Sequence, residues 1–113
     1  MNSYLLLFRA NYSAINATPT DEMQNRMNTW NEWIGVIAAT GALAGGNHLA
    51  PTGNVAHSNG KVTDGPYTTD DTAVLGYIIV KAADYEAAMA IAERCPILGG
   101  TGNTVEVRQL AAM

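Results

Sequence analysis

The stretch Ala73-Val74-Leu75-Gly76-Tyr77-Ile78-Ile79-Val80-Lys81-Ala82 decides the fold of this chain. It is short, almost continuously apolar and rich in β-branched residues, which predicts a β-strand. A strand with one solvated face alternates apolar and polar residues, whereas a strand that is buried on both faces is apolar throughout. We therefore expect residues 73–82 to lie in a sheet that is covered on both sides.

A helix and a further strand are predicted after this stretch. Asp84 suits an N-cap, and Pro96 should end the helix near Cys95. The apolar face of this helix consists of Ala88, Ile91, Ala92 and Cys95. Residues 104–110 then alternate as a last strand, with Val105 and Val107 pointing inward and Glu106 and Arg108 on the opposite face.

A strand at residues 3–9 and a long helix are predicted at the start of the chain. Thr18 is expected to cap the helix, Pro19 to occupy its first position and Gly41 to end it. One apolar stripe runs along the helix at spacings of four and three residues. It consists of Met23, Met27, Trp30, Ile34 and Ile37.

The middle of the chain predicts a second strand and a hairpin. Residues 42–49 form the strand, in which Gly45-Gly46 indicates a bulge or a close approach by another group. Asn59-Gly60 predicts a two-residue turn between residues 55–58 and 61–64. Gly65-Pro66 ends this hairpin, and a polar, acidic connection follows at residues 68–72.

The order of these elements predicts an α+β fold. It is a ferredoxin-like antiparallel sheet with two helices on one face and an inserted β-hairpin. Two helices cover only one face of such a sheet, yet residues 5–8 and 74–80 are apolar on both faces. A second copy related by two-fold symmetry would cover the other face, so we expect a homodimer. The alternative is that the inserted hairpin folds back over the open face.

Composition limits the partners and the location that we expect. A chain of 113 residues predicts one domain, residues 1–113, with a core that needs neither disulfides nor metals. The net charge of −4, with six scattered basic residues, argues against nucleic acid or an anionic membrane as a partner. The single cysteine excludes an internal disulfide, and no spacing suggests zinc, so we expect no cofactor or metal. The first apolar run is too short for a signal peptide, which makes the cytoplasm the expected location.

His48 and Asp64 are the candidate catalytic residues. His48 ends the second predicted strand beside the Gly45-Gly46 break, where an imidazole could act as acid or base near neutral pH. The alternative is a partly exposed histidine that makes one backbone hydrogen bond. Asp64, held by the Gly65-Pro66 turn, could act as a base or contact a ligand. Alternatively, it is a turn residue that bonds nearby backbone N–H groups.

Glu106, Arg108, Tyr77 and Tyr67 are the candidate ligand-binding residues. Because the two charged side chains share one face of the last strand, they form either an ion pair across a dimer or an anion site in which Arg108 binds a carboxylate or phosphate. Tyr77 lines a cavity or packs in the core. Trp30, Trp33 and Cys95 are interpreted as packing residues, and His57 as exposed to solvent.

The stretch Lys61-Val62-Thr63-Asp64-Gly65-Pro66-Tyr67 resembles the signature of the YCII-related family, in the branch named for its Asp-Gly-Pro-Phe (DGPF) motif. Tyr67 stands where that branch usually has phenylalanine. Further likeness extends in order along the chain, in residues 4–8, 18–22, 41–46, 75–77, 87–92, 96 and 105–108. The resemblance implies a ferredoxin-like subunit and a dimeric α/β barrel.

The wider family includes a dehydrochlorinase that acts on chlorinated aromatic diols and uses a proposed His–Asp pair. By position, this pair falls near Trp30 and Ala39 in the present chain, and neither residue can titrate. The resemblance therefore does not imply His–Asp chemistry for this chain.

Two hypotheses about function follow. The first is a cofactor-free acid–base enzyme of the isomerase or lyase type, acting on a small anionic or aromatic metabolite with His48, Asp64 and Arg108. The second is a non-catalytic module with a regulatory role that binds a small ligand or a protein.

Overall fold

The computed structural model describes residues 1–11 and 19–111. Its two helices are α1 and α2, and a 3₁₀ turn at Pro96–Gly99 follows α2. The helices span Thr20–Ala39 and Tyr85–Ala92. The strands are β1 (Asn2–Asn11), β2 (Leu43–His48), β3 (Asn54–Ala56), β4 (Val62–Asp64), β5 (Thr68–Thr69), β6 (Thr72–Ala82) and β7 (Thr104–Gln109).

The main sheet is antiparallel and has the strand order β2-β6-β1-β7, with β5 paired to β6. The expected α+β fold, with two helices and an antiparallel sheet, is confirmed. In a single chain the sheet is open and does not close into a barrel, because β2 and β7 form its two edges. Strands β3 and β4 pair with each other in a separate two-stranded sheet.

The core lies between the helices and one face of the sheet. Tyr4, Leu6 and Phe8 on β1 are buried, and so is Val80 on β6. Both helices add buried side chains to the same cluster, namely Trp33, Ile37, Ala88 and Ala92. Their burial anchors α1 and α2 to this side of the sheet.

The second face of the sheet is half-buried. Leu5 pairs with Ile79 and Leu7 with Tyr77, and all four side chains lie on this face, opposite the core residues. Every residue of the inserted hairpin from Ala56 to Asp64 is exposed, so the hairpin does not pack over this face. The two strands are therefore apolar on both faces, as the sequence predicted.

The chain is flat. Its Cα atoms extend over 41 × 41 × 20 Å. Their radius of gyration is 15.2 Å, whereas a compact domain of this length has about 13 Å. A single layer of helices over a single sheet accounts for the small thickness.

Helix boundaries differ from the prediction where proline acts. Pro19 is the N-cap of α1 rather than its first residue, because its ψ of 151° is extended. Thr18 lies outside the described residues. Helix α2 begins after Asp84, whose carboxylate accepts a hydrogen bond from the Ala87 N–H, as expected. It ends at Ala92 and not near Cys95, because Pro96 forces Cys95 into an extended conformation.

The two hairpins also differ from the prediction in their turns. Asn59-Gly60 belongs to a three-residue loop, in which Gly60 has φ +85° and its N–H donates to the carbonyl of His57. The acidic connection contains the short strand β5 and a two-residue turn. There Asp70 and Asp71 both have positive φ, of 51° and 65°. Aspartate tolerates this conformation, but glycine is the usual signal for it.

Three glycines before and within β2, namely Gly41, Gly45 and Gly46, have the backbone roles that the sequence predicted. Gly41 follows Thr40, the C-cap of α1, and has φ +78°. Its N–H donates to the Ala38 carbonyl at the helix C-terminus. The pairing of β2 with β6 shifts between Leu43 and Gly45, which is the expected bulge. A Cβ atom on Gly46 would lie 2.6 Å from the Tyr77 carbonyl oxygen, so the backbone of β6 approaches closely here.

Candidate functional site

A cavity of about 370 Å³ lies between α1 and β2. Small-molecule sites have volumes of roughly 300–1,000 Å³ and mostly apolar walls, so this cavity matches a small ligand. Its lining residues are Phe8, Trp30, Asn31, Ile34, Leu43, Gly45, Gly46, Asn47, His48, Tyr77 and Ile78. No Asp, Glu, Lys or Arg is among these described lining residues.

His48 is placed in the cavity by its register on the sheet. It pairs with Gly76 of β6, which in turn pairs with the buried Phe8 of β1. The three residues therefore lie on the face that carries the helices. Because Gly76 has no side chain, β2 can lie close: a Cβ atom at this position would be 2.7 Å from the Asn47 carbonyl oxygen.

An aromatic wall stands beside His48. The centre of the imidazole lies 5.6 Å from the centre of the Trp30 ring, and the two ring planes make an angle of 48°. Trp30 in turn packs edge-on against Phe8 at 4.7 Å and against Trp33 at 5.3 Å. Because Phe8 and Trp33 are buried in the core, Trp30 has a fixed support, and a flat ligand would meet a preformed surface.

Asp64 and Tyr67 lie away from this cavity. Asp64 is at the end of β4, where it pairs with Asn54, and its side chain is exposed. Tyr67 follows the Gly65-Pro66 turn and is 64% exposed. Neither residue lines the cavity within the described part of the chain, so the fold of this chain does not bring His48 and Asp64 together.

Glu106 and Arg108 lie on the other face of the sheet and at its other edge. They pair with Leu7 and Leu5, whose side chains occupy the half-buried second face. The Arg108 Nη1 atom lies 3.5 Å from the Glu106 Oε2 atom, with both side chains exposed. Since β7 is three strands from β2, about 14 Å separates these edges. Tyr77 is therefore the only other predicted site residue that lines the His48 cavity within the described residues.

A family comparison covers nearly the whole chain. The family model of the YCII-related domain matches residues 3–111. The chain belongs to the YCII-related family. No curated protein matches this YCII-related chain in sequence.

The cavity of this YCII-related chain lies beside α1, the helix on which the resemblance implies a His–Asp pair. Trp30, near which the resemblance implies the histidine of the His–Asp pair, forms part of the cavity wall. Ala39, near the position implied for the aspartate, is the exposed last residue of α1. The imidazole that lines the cavity in this YCII-related chain belongs to His48 of β2.

Sequence reasoning missed several lining residues, above all Asn31 and Ile34. It interpreted Trp30 only as a packing residue. The available signal was the position of Trp30 and Ile34, which are one helical turn apart on the apolar stripe of α1. Asn31 lies at the polar margin of this stripe, where a lining amide could have been expected.

The remaining titratable and metal-binding candidates lie outside the cavity. Cys95 is buried, and its desolvation raises the pKa of the thiol to about 11, which makes it unreactive. No group of three His, Cys, Asp or Glu side chains within residues 1–11 and 19–111 is arranged to hold a metal ion. Neither described helix has the length and apolar character needed to cross a bilayer.

Proposed function

We propose that the cavity between α1 and β2 binds a small aromatic metabolite, and that His48 transfers a proton on it in a cofactor-free reaction of the isomerase or lyase type. The observation that carries this proposal is the contact of the exposed His48 with Trp30 at the edge of a cavity of about 370 Å³. Imidazole is the side chain that exchanges protons most readily near neutral pH.

The lining favours an aromatic ligand over an anionic one. Anion sites are normally built from Arg or Lys, and the described lining contains neither. Trp30 offers a ring surface that Phe8 supports, while Asn31 carries a polar group that would orient the ligand. Roles in the site for Asp64, Tyr67, Glu106 and Arg108 would require a second protomer and stay predictions.

The test is a ligand screen followed by matched histidine variants. Quenching of tryptophan fluorescence reports binding, because Trp30 lies in the wall. With an active compound, His48→Gln should lower kcat at least about 100-fold and leave affinity within a few fold. His57→Gln is the control, since this second histidine is exposed and bonds Thr63 on the hairpin. Full activity of His48→Gln would contradict the proposal.

A second candidate is a non-catalytic, regulatory binding module. It is favoured by the lining itself, since no carboxylate there orients the imidazole of His48 as acid–base sites usually require. In that case the screen would find compounds that bind and are recovered unchanged. His48→Gln would then alter only the dissociation constant.

We also propose that the chain forms a homodimer through the second face of the sheet, which would create a dimeric α/β barrel. The chain exposes 7452 Å². A compact monomer of 11.9 kDa exposes about 6,000 Å². The excess of roughly 1,500 Å² exceeds the about 800 Å² that each partner buries in a standard interface. This excess supports a partner, and the half-buried apolar face that carries Leu5, Leu7 and Ile79 is the surface that we expect it to cover.

Light scattering with size-exclusion chromatography tests the dimer. Leu7→Glu places a charge in the middle of the second face, opposite Tyr77 and Glu106, and should yield a folded monomer. Val36→Glu is the control, because Val36 is an exposed apolar residue on α1. A wild-type monomer at micromolar concentration would contradict the dimer.

Three further expectations belong to this proposal. The turn Asp64-Gly65-Pro66-Tyr67 supports placing the chain in the DGPF branch. The single cysteine supports a location in the reducing cytoplasm, and the net charge of −4 supports a ligand other than nucleic acid.

A further inference from the structure

The hairpin of β3 and β4, residues 54–64, stands apart from the main sheet and is called the arm below. Its strands pair only with each other among the described strands. An isolated two-stranded hairpin is marginally stable in water and normally needs a surface to pack on. Yet all residues from Ala56 to Asp64 are exposed.

The arm has two different faces. On one face, His57 Nε2 lies 3.1 Å from Thr63 Oγ1, and Val55 beside them is half-buried. On the other face, Ala56 and Val62 are direct cross-strand partners. Asn54 and Asp64 share this face at the base of the arm. Its apolar part is Ala56 and Val62, and Val62 is 66% exposed.

The root of the arm is a fixed turn. Gly53 lies against Pro66, since a Cβ atom on Gly53 would be 3.5 Å from the Pro66 Cα atom. Gly65, at the end of β4, has φ +84°, a conformation that suits glycine. The two chain segments at the base of the arm are therefore packed against each other.

The area of the second face of the sheet indicates what the arm contacts. Strands β1 and β6 have 10 and 11 residues, and β2 and β7 have six each. With about 3.4 Å per residue and about 4.8 Å between strands, the face measures roughly 540 Å². A stable homodimer buries about 800 Å² on each partner. The second face of the sheet alone therefore provides about two-thirds of the area that the proposed dimer needs.

We propose that the arm of each protomer packs against a second copy of this chain through its Ala56–Val62 face. The arm would then supply the interface area that the sheet lacks, and it would bury the exposed Val62. This proposal rests on the homodimer proposed above and assigns a second, separate contact to it.

The test compares two valines of equal exposure in the full chain. Val62→Asp should raise the dissociation constant of the dimer about a hundredfold, because a valine contact worth about tenfold is lost twice in a symmetric dimer. Val36→Asp should change it less than about threefold, although Val36 is 64% exposed. Sedimentation equilibrium gives both constants, and far-UV circular dichroism checks folding.

A more conservative variant tests whether the effect of Val62→Asp comes from the lost contact or from unfolding of the arm itself. Val62→Thr keeps the β-branched shape and should still weaken the dimer several-fold. An unchanged constant in both Val62 variants would overturn the arm contact and leave the sheet-face dimer standing. Equal weakening by Val36→Asp would overturn it as well. A monomeric wild-type chain would overturn both the arm contact and the dimer.

Discussion

Replacing Gly46 by alanine should be one of the most damaging single-methyl changes in this protein. The added Cβ atom would lie 2.6 Å from the Tyr77 carbonyl oxygen and 2.8 Å from the Ile78 Cα atom. Both are backbone atoms of β6, which lies between β2 and β1. They cannot move aside without disturbing the ladder that holds the sheet together.

The expected cost follows from two contributions. Overpacking against a rigid neighbour costs about 1–3 kcal/mol, and a side chain at the positive φ of Gly46 adds about 1 kcal/mol or more. We expect a loss of roughly 3 kcal/mol. With an unfolding entropy of about 2.1 cal/mol/K per residue, this lowers Tm by about 13 °C.

Thermal unfolding at a fixed protein concentration measures this effect, with two glycine controls. Gly45 also has a positive φ, of 159° against 149° at Gly46, but a Cβ atom there would meet nothing within 4 Å. Gly45→Ala should therefore lose only the stability that the backbone conformation costs. Gly35→Ala lies in α1 with open space around it and should raise Tm by a few degrees. If Gly46→Ala costs no more than Gly45→Ala, the proposed close contact between β2 and β6 is wrong.

Three further changes test the core, a helix cap and a buried thiol. Phe8→Ala should cost about 3–5 kcal/mol in urea unfolding, because Phe8 is 2% exposed and supports both tryptophans, whereas Phe8→Leu should cost far less. Asp84→Ala should cost about 1 kcal/mol, since the Ala87 N–H loses its acceptor, and Asp84→Ser should restore most of it. Burial raises the pKa of Cys95 to about 11, so its contribution to stability is complete below pH 9 and is lost as pH rises through 11. Cys95→Ala should therefore flatten the stability of the protein between these pH values, and an unchanged pH profile would contradict the burial.

The α+β architecture was predictable because it depends on burial patterns. The apolar character of residues 73–82 on both faces requires a central strand, and β6 occupies that position. Asp84 and Gly41 marked helix ends because their side-chain chemistry and backbone freedom act locally. The turn at Asp70 and Asp71 was not predictable in this way, because its positive φ values are imposed by the pairing of Thr69 with Thr72.

The candidate site was only half predictable. His48 was identified from its place at a strand end, and it does line a cavity with Tyr77. Which face a strand residue occupies depends on register, and the bulge in β2 sets that register in a way that spacing alone does not reveal. Asp64 and Arg108 were predicted to act with His48, but the fold places them apart. Asp64 lies on the arm, Arg108 on the second face of the sheet and His48 on the helix face.

The flat shape has a consequence for how the protein moves in solution. The chain measures 41 × 41 × 20 Å, so a single copy diffuses and tumbles as a disc. Two such discs stacked through their sheets would be about as thick as they are wide. The pair would have a lower frictional ratio than a single chain, whereas joining the discs edge to edge would raise that ratio. Sedimentation velocity alone would therefore distinguish the two ways of pairing.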